Sequence, residues 1–246
     1  MWETVRTVIY AVFIAIVVRT FLYEPFNIPS GSMKPTLLIG DYLFVSKFAY
    51  GYSRHSLPFS PPLGDGRLFS SLPERGDVAV FKLPSDNRTD YIKRIVGLPG
   101  DRIQVKGGVL FVNDVEVSRT ALDDFLDDDG NSVNPIKRYQ EVMPLFPADG
   151  AEESDVIYEV LDWKAEGRGE YDNTEIFVVP EDHVFAMGDN RDNSLDSRSK
   201  VGFVPTENLV GRAEIIFFST NGSARFWEVW KWPVTIRYGR LLNLID

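Results

Sequence analysis

Cysteine is absent from the 246-residue sequence, which excludes disulfides, thiolate nucleophiles, Cys-ligated zinc and thiol redox chemistry. The absence identifies no compartment, because many exported proteins also lack disulfides. Histidine is scarce, with two residues. His55 lies in a Ser/Pro-rich stretch and His183 follows Glu181-Asp182, so a Ser-His-Asp triad is conceivable but has no Gly-x-Ser-x-Gly signature. No Lys/Arg-rich run offsets a formal charge of −10, and an acidic molecule repels phosphate backbones, which removes nucleic acid from the expected partners. There is no internal repeat. What remains is 44% hydrophobic and 13% aromatic, enough to fill the core of one large domain or two small ones.

The longest apolar run is N-terminal. Residues 8–18 are all apolar or aromatic, and after Arg19 and Thr20 the run resumes through Phe21, Leu22 and Tyr23. A bilayer core needs about 20 such residues, with a late Arg snorkelling to headgroups and tyrosines suited to the interfaces. A cleaved secretory leader is the alternative, but no Lys/Arg-rich start precedes the run, and Glu24-Pro25-Phe26 stands where small residues would mark a cleavage site. The expectation is a retained anchor. Arg6 and Arg19 flank opposite ends, so the charge rule leaves its orientation open.

Beyond the anchor the pattern is all-β. Residues 77–83, 91–96, 102–106, 175–179, 183–187 and 213–218 are short, rich in Val, Ile, Phe and Tyr, and bounded by Gly, Pro or Asp. Residues 109–112 and 115–118 flank Asn113-Asp114, a two-residue connection of the kind that closes a tight hairpin. Residues 53–73 read as a surface loop, and 123–155 as a second polar, acidic, irregular stretch.

Three segments carry chemistry. In Pro29-Ser30-Gly31-Ser32-Met33-Lys34-Pro35, two prolines bracket a permissive centre, which reads either as an ordinary turn or as a presented hydroxyl. A serine needs a base. In Tyr91-Ile92-Lys93-Arg94-Ile95 the strand period sets Lys93 beside Tyr91 and Ile95. Burial among them would lower its pKa toward that of a neutral amine, whereas an edge-strand lysine would be a solvated bystander. The third segment, 188–198, groups Asp189, Asp192 and Asp196 with Arg191 and Arg198. It lacks the glycine and late glutamate of a calcium loop, and in the 123–130 region aligning Gly130 with the loop glycine puts Phe125 at the first ligand position, so no metal is expected, and a polar scaffold able to orient a buried lysine is the remaining reading.

These segments, in this order and wording, resemble type I signal peptidases, and the likeness extends through Glu24-Pro25-Phe26, Gly40-Asp41, 202–205 and 211–213. Only 53–73 and 106–174 fall outside it. The resemblance implies Ser32 as nucleophile and Lys93 as general base, with no cofactor. It further implies that Ser30 aids the Ser32 amide in holding the oxyanion, that Ser194 holds the Lys93 amine, and that Asp196 with Arg198 braces the site. Shallow pockets lined by Phe26, Ile28, Pro29, Met33, Leu37, Leu43, Asp90, Tyr91 and Ile92 would admit the small residues of Ala-x-Ala signal peptides.

The implied architecture is mainly β: an anchor helix over 1–24, an antiparallel β catalytic region over 25–106 and 175–246, and an inserted smaller β region over 107–174. The implied setting is the bacterial inner membrane, crossed once, with a monomeric catalytic region on the periplasmic face, preprotein signal peptides as substrate and the bilayer as partner. A self-cleaving Ser/Lys regulator would share the chemistry but carry a DNA-binding portion in place of an anchor. A tethered peptide-binding β domain would leave Ser32 and Lys93 as bystanders. Near the C-terminus Phe226, Trp227, Trp230 and Trp232 suit either core or a headgroup-contacting patch.

Overall fold

Residues Trp2–Phe21 form helix α1, in which no side chain is buried. At 1.5 Å per residue its 20 residues span about 30 Å, and its mean hydropathy of 1.7 makes it long and apolar enough to cross a bilayer. The computed structural model describes residues 2–58, 60, 61, 64, 66–127, 135–144, 146, 156–164, 167–221, 223 and 227–245.

The rest of the described chain is mainly β structure, with a few one-turn helices. Its strands are β1 (Tyr23–Asn27), β2 (Asp41–Ser46), β3 (Val78–Lys82), β4 (Asp90–Gly97), β5 (Arg102–Lys106), β6 (Val109–Val112), β7 (Val115–Glu116), β8 (Ser118–Ala121), β9 (Lys137–Met143), β10 (Val156–Asp162), β11 (Phe177–Val178), β12 (His183–Met187), β13 (Val204–Pro205), β14 (Leu209–Ser219) and β15 (Asn243–Leu244). The main antiparallel sheet runs β1-β2-β14-β3-β4-β12-β13, with β15 added to β14. A three-stranded sheet, β10-β9-β8, and a four-stranded one, β11-β5-β6-β7, lie beside it.

Alternation of side chains across the strands builds three cores. One holds Ile28, Met33, Leu37, Leu43, Val45, Val78, Val80 and Val210. A second joins Tyr50, Phe81, Ile95 and Val184. The third joins Phe185 and Met187 of β12 to the small sheets through Val105, Leu110, Met143 and Val160. The Asn113-Asp114 hairpin forms, with φ of 52° and 66° at its two central residues, the left-handed pair such a turn demands.

Several expectations are corrected. Residues 115–118 are not one strand: β7 ends at Glu116 and Ser118 opens β8, which pairs with β9 instead. The 123–155 stretch contains an ordered strand, β9, paired with both β8 and β10, its polar alternation having hidden a β period; 128–134, 145 and 147–155 lie outside the described residues. Within 53–73, Ser53, His55 and Ser56 are buried, because the Ser53 hydroxyl caps a one-turn helix at Arg54–Ser56 and donates to the Glu207 carbonyl at 2.7 Å. Strands β1 and β2, short and mixed in polarity, went unmarked. Trp227 and Trp230 are exposed while Trp232 packs on Phe218, 5.1 Å between rings; Phe226 lies outside the described residues.

Candidate active site

The chain from Ile28 to Asp41 is a closed loop pinned at its base, where the Ile28 amide donates to the Asp41 carbonyl and the Gly40 amide to the Ile28 carbonyl. Met33 and Leu37 anchor it from beneath, both fully buried. Ser32 is left at its rim, half-buried.

Strand β4 brings the second group. Its Lys93, paired across to Ala79 of β3, is 3% exposed, and its Nζ donates to Ser32 Oγ at 2.7 Å and to the Ile92 carbonyl at 2.8 Å. The Tyr91 ring centroid lies 5.4 Å from the nitrogen. Burial disfavours the ammonium form and lowers the pKa from 10.5 to about 8, against a partial pull upward from Asp196 and Asp189. Those carboxylates are engaged elsewhere, so neither forms an ion pair that would fix the charge. Ser30 Oγ stands 3.5 Å from Ser32 Oγ.

The 188–198 loop frames the pair. Asp189 accepts from Arg94 on both oxygens at 2.9 Å and from the Thr36 hydroxyl at 2.6 Å, tying β4 to the Ser32 loop. The Asn190 amide donates to the Ser32 carbonyl at 3.1 Å and Asn190 Nδ2 to the Gly31 carbonyl at 2.9 Å. Asp192 takes the Trp163 and Lys164 amides. Asp196 is buried; burial alone would raise its pKa, but the Arg198 guanidinium, 2.8 Å away, outweighs this and holds it below the usual carboxylate range. Gly188 is required by packing, since a Cβ there would collide with Ser194 and the Ser32 carbonyl.

Of the residues the sequence singled out, Ser30, Ser32 and Lys93 converge with Phe26, Ile28, Pro29, Asp90, Tyr91 and Ile92 around one cavity of about 580 Å³. Met33, Leu37 and Leu43 do not line it: they are fully buried in the core below, where loop closure puts them. Ser194 does not bond the Lys93 amine, whose partners are Ser32 and the Ile92 carbonyl; its hydroxyl is buried against Gly188 instead. Neither histidine reaches the cavity, which removes the triad: His55 accepts from Arg54, and His183 Nδ1 bonds the Glu181 carbonyl.

Sequence reasoning missed the lining residues Asn27, Val80, Asn193 and Leu195 and the framework residues Thr36 and Arg94, and it read 188–198 as a polar scaffold without the partners that Asp189 and Asn190 take. The available signal was Arg94 itself, a charged residue inside an apolar strand that needs a buried partner.

Among the described residues, two strand edges beside the cavity carry no partner strand: Asp90–Lys93 pair only with β3, because β12 joins β4 no earlier than Arg94, and β1 pairs only with β2.

Over residues 1–218 the chain matches the family model described as signal peptidase, peptidase S26. It is 42% identical over 213 residues to "Signal peptidase I" of Rickettsia typhi, across 86% of this chain and 78% of that protein. Identity is again 42%, over 217 residues, with "Signal peptidase I" of Rickettsia felis, across 86% and 77% of the two chains. A solved signal peptidase I from Enterococcus faecalis V583 aligns with TM-score 0.32 and 24% identity, over 58% of this chain and 97% of that one.

Proposed function

This chain belongs to the signal peptidase family, peptidase S26, and from that premise we propose a mechanism in which Ser32 is the nucleophile and Lys93 its general base. The coarser activity follows from the family: the protein is a serine endopeptidase that removes signal peptides from preproteins. The single observation that carries the finer reading is the 2.7 Å contact between Lys93 Nζ and Ser32 Oγ.

With a pKa of about 8, roughly a tenth of the Lys93 amine is neutral at pH 7. The neutral amine takes the Ser32 proton as Oγ attacks the scissile carbonyl. The resulting oxyanion is held by the Ser32 N–H and the Ser30 hydroxyl. Lys93, now an ammonium, returns the proton to the departing amine, and water deprotonated by Lys93 then hydrolyses the acyl-enzyme.

Substrate backbone pairs with the free edges at 26–30 and 90–93, where main-chain hydrogen bonds fix register and alternate side chains enter the cavity. Phe26, Ile28, Tyr91 and Ile92 at the cavity wall restrict those positions to small residues of the Ala-x-Ala kind. Asn27, Val80, Asn193 and Leu195 join them; Met33, Leu37 and Leu43 act from below by fixing the loop.

The same proposal sets α1 across the bacterial inner membrane once, with a monomeric β region on the periplasmic face. A helix with no buried side chain and Trp2 exposed supports lipid as its packing partner. The division into 1–24, 25–106 with 175–246, and 107–174 draws support from the β8-β9-β10 sheet, all of whose strands lie between residues 118 and 162.

Incubation of the protein in detergent with a preprotein bearing an Ala-x-Ala site tests the mechanism by mass spectrometry. One cut after the last Ala, lost in Ser32→Ala and in Lys93→Met, is expected. Cutting that survives Ser32→Ala would overturn the assignment.

A further inference from the structure

Two residues beyond Ser32, the chain buries a second lysine. Lys34 is 2% exposed, and its Nζ donates to both carboxylate oxygens of Asp127 at 2.8 Å. The Asp127 side chain is equally buried. Between them these groups join parts of the chain 93 residues apart: the serine loop and the segment that leads from β8 toward β9. Near Asp127, Phe125 and Ile136 exchange backbone hydrogen bonds at 2.8 and 3.0 Å.

The aliphatic stem of Lys34 reaches Gly31, the residue next to the nucleophile. Its Cε and Cδ lie 3.2 and 3.3 Å from where a Cβ on Gly31 would stand, so the stem lies flat against the residue between Ser30 and Ser32. The Lys34 amide also donates to the Gly31 carbonyl at 3.2 Å. Asn190 also holds the Gly31 and Ser32 carbonyls. The turn is therefore held by two groups: through its carbonyls by the 188–198 loop, and along Gly31 by a lysine stem whose Nζ is held by Asp127.

We propose that Lys34 is a positioning residue for the Ser30-Gly31-Ser32 turn, and that Asp127 acts through it, making the 107–174 region a functional support of the nucleophile. The inference rests on the reading of Ser32 as nucleophile. A buried charge pair suits this task, because two charge-assisted hydrogen bonds hold the Lys34 Nζ in place and breaking a buried pair is strongly unfavourable. Displacement of the attacking oxygen by about 1 Å is enough to cost about 10²-fold in rate.

Steady-state kinetics on the full chain in detergent would compare Lys34→Met, Asp127→Asn and Lys34→Arg, with Ser32→Ala as control and circular dichroism to verify folding. Lys34→Met and Asp127→Asn are expected to lower kcat by roughly 10- to 100-fold with KM within about twofold, and Lys34→Arg, which can still meet the carboxylate, to recover to within about threefold of the parent. Wild-type kcat in folded Lys34→Met or Asp127→Asn would overturn the proposal. So would unfolding of both, which assigns the pair to fold stability alone, or a rise in KM with kcat unchanged. Activity persisting in Ser32→Ala would instead remove the nucleophile reading on which the proposal stands.

Discussion

The β4 strand and the Ser32 loop each bury a lysine beside the same turn, Lys93 on Ser32 Oγ and Lys34 along Gly31, and the acceptors around the two differ. Lys34 meets a carboxylate on both oxygens. Lys93 meets a hydroxyl and a carbonyl, while the nearby carboxylates are committed to Arg94 and Arg198. A buried ammonium persists where a counter-charge repays its desolvation, and gives up its proton more readily where none does. Residue type is thus the same in both places, and the acceptors differ: a carboxylate at Lys34, a hydroxyl and a carbonyl at Lys93.

The largest expected contrast is between Lys93→Arg and Lys34→Arg. A guanidinium cannot serve as a base, so Lys93→Arg should lower kcat by about 10⁴-fold or more in the preprotein cleavage assay, whereas Lys34→Arg should stay close to the parent. Equal losses in both would erase the distinction.

The next effect is in pH. With the Lys93 pKa at about 8, kcat/KM should fall about tenfold per pH unit below that value and level off above it. A flat profile between pH 6 and 8 would place the base elsewhere.

The smallest effect is the most discriminating, because its sign differs between the sites. Lowering the Lys93 pKa from 10.5 to about 8 means that between those values the unfolded chain binds more protons than the folded one, so stability rises with pH through that window. The burial cost is fully present below pH 8 and vanishes toward 10.5. Lys93→Met should therefore stabilise the protein at pH 7, by about 3 kcal/mol at most, the gain shrinking as pH climbs. Lys34→Met removes the cation that meets the buried Asp127 carboxylate and should destabilise by about 3 kcal/mol. Urea unfolding midpoints at pH 7 and pH 10 check both signs.

Much of this was legible in order along the chain. The strand periods at 91–96 and 183–187 and the Asn113-Asp114 turn are local properties, and Lys93 within an apolar run already suggested desolvation. Met33, Leu37 and Leu43 show the limit: as apolar residues in the Ser32 loop and on β2 they resemble pocket lining, yet loop closure turned them into core. Asn193 and Leu195 enter the cavity only because β12 delivers their loop beside Ser32. Lys34 read as a charge between Met33 and Pro35, with nothing local to say that Asp127 would cover it.

The sequence by itself determined the apolar helix, the β character, the candidate nucleophile and base, and the family. These depend on spacing, composition and motif, which need no knowledge of what lies across the fold. Only the tertiary structure decided which lysine has a carboxylate, which serine hydroxyl the amine meets, and which apolar residues face substrate rather than core. Those outcomes hinge on contacts between segments tens of residues apart, such as Lys93 with Ser32 and Lys34 with Asp127, and a buried charge takes its character from whatever group the fold sets against it.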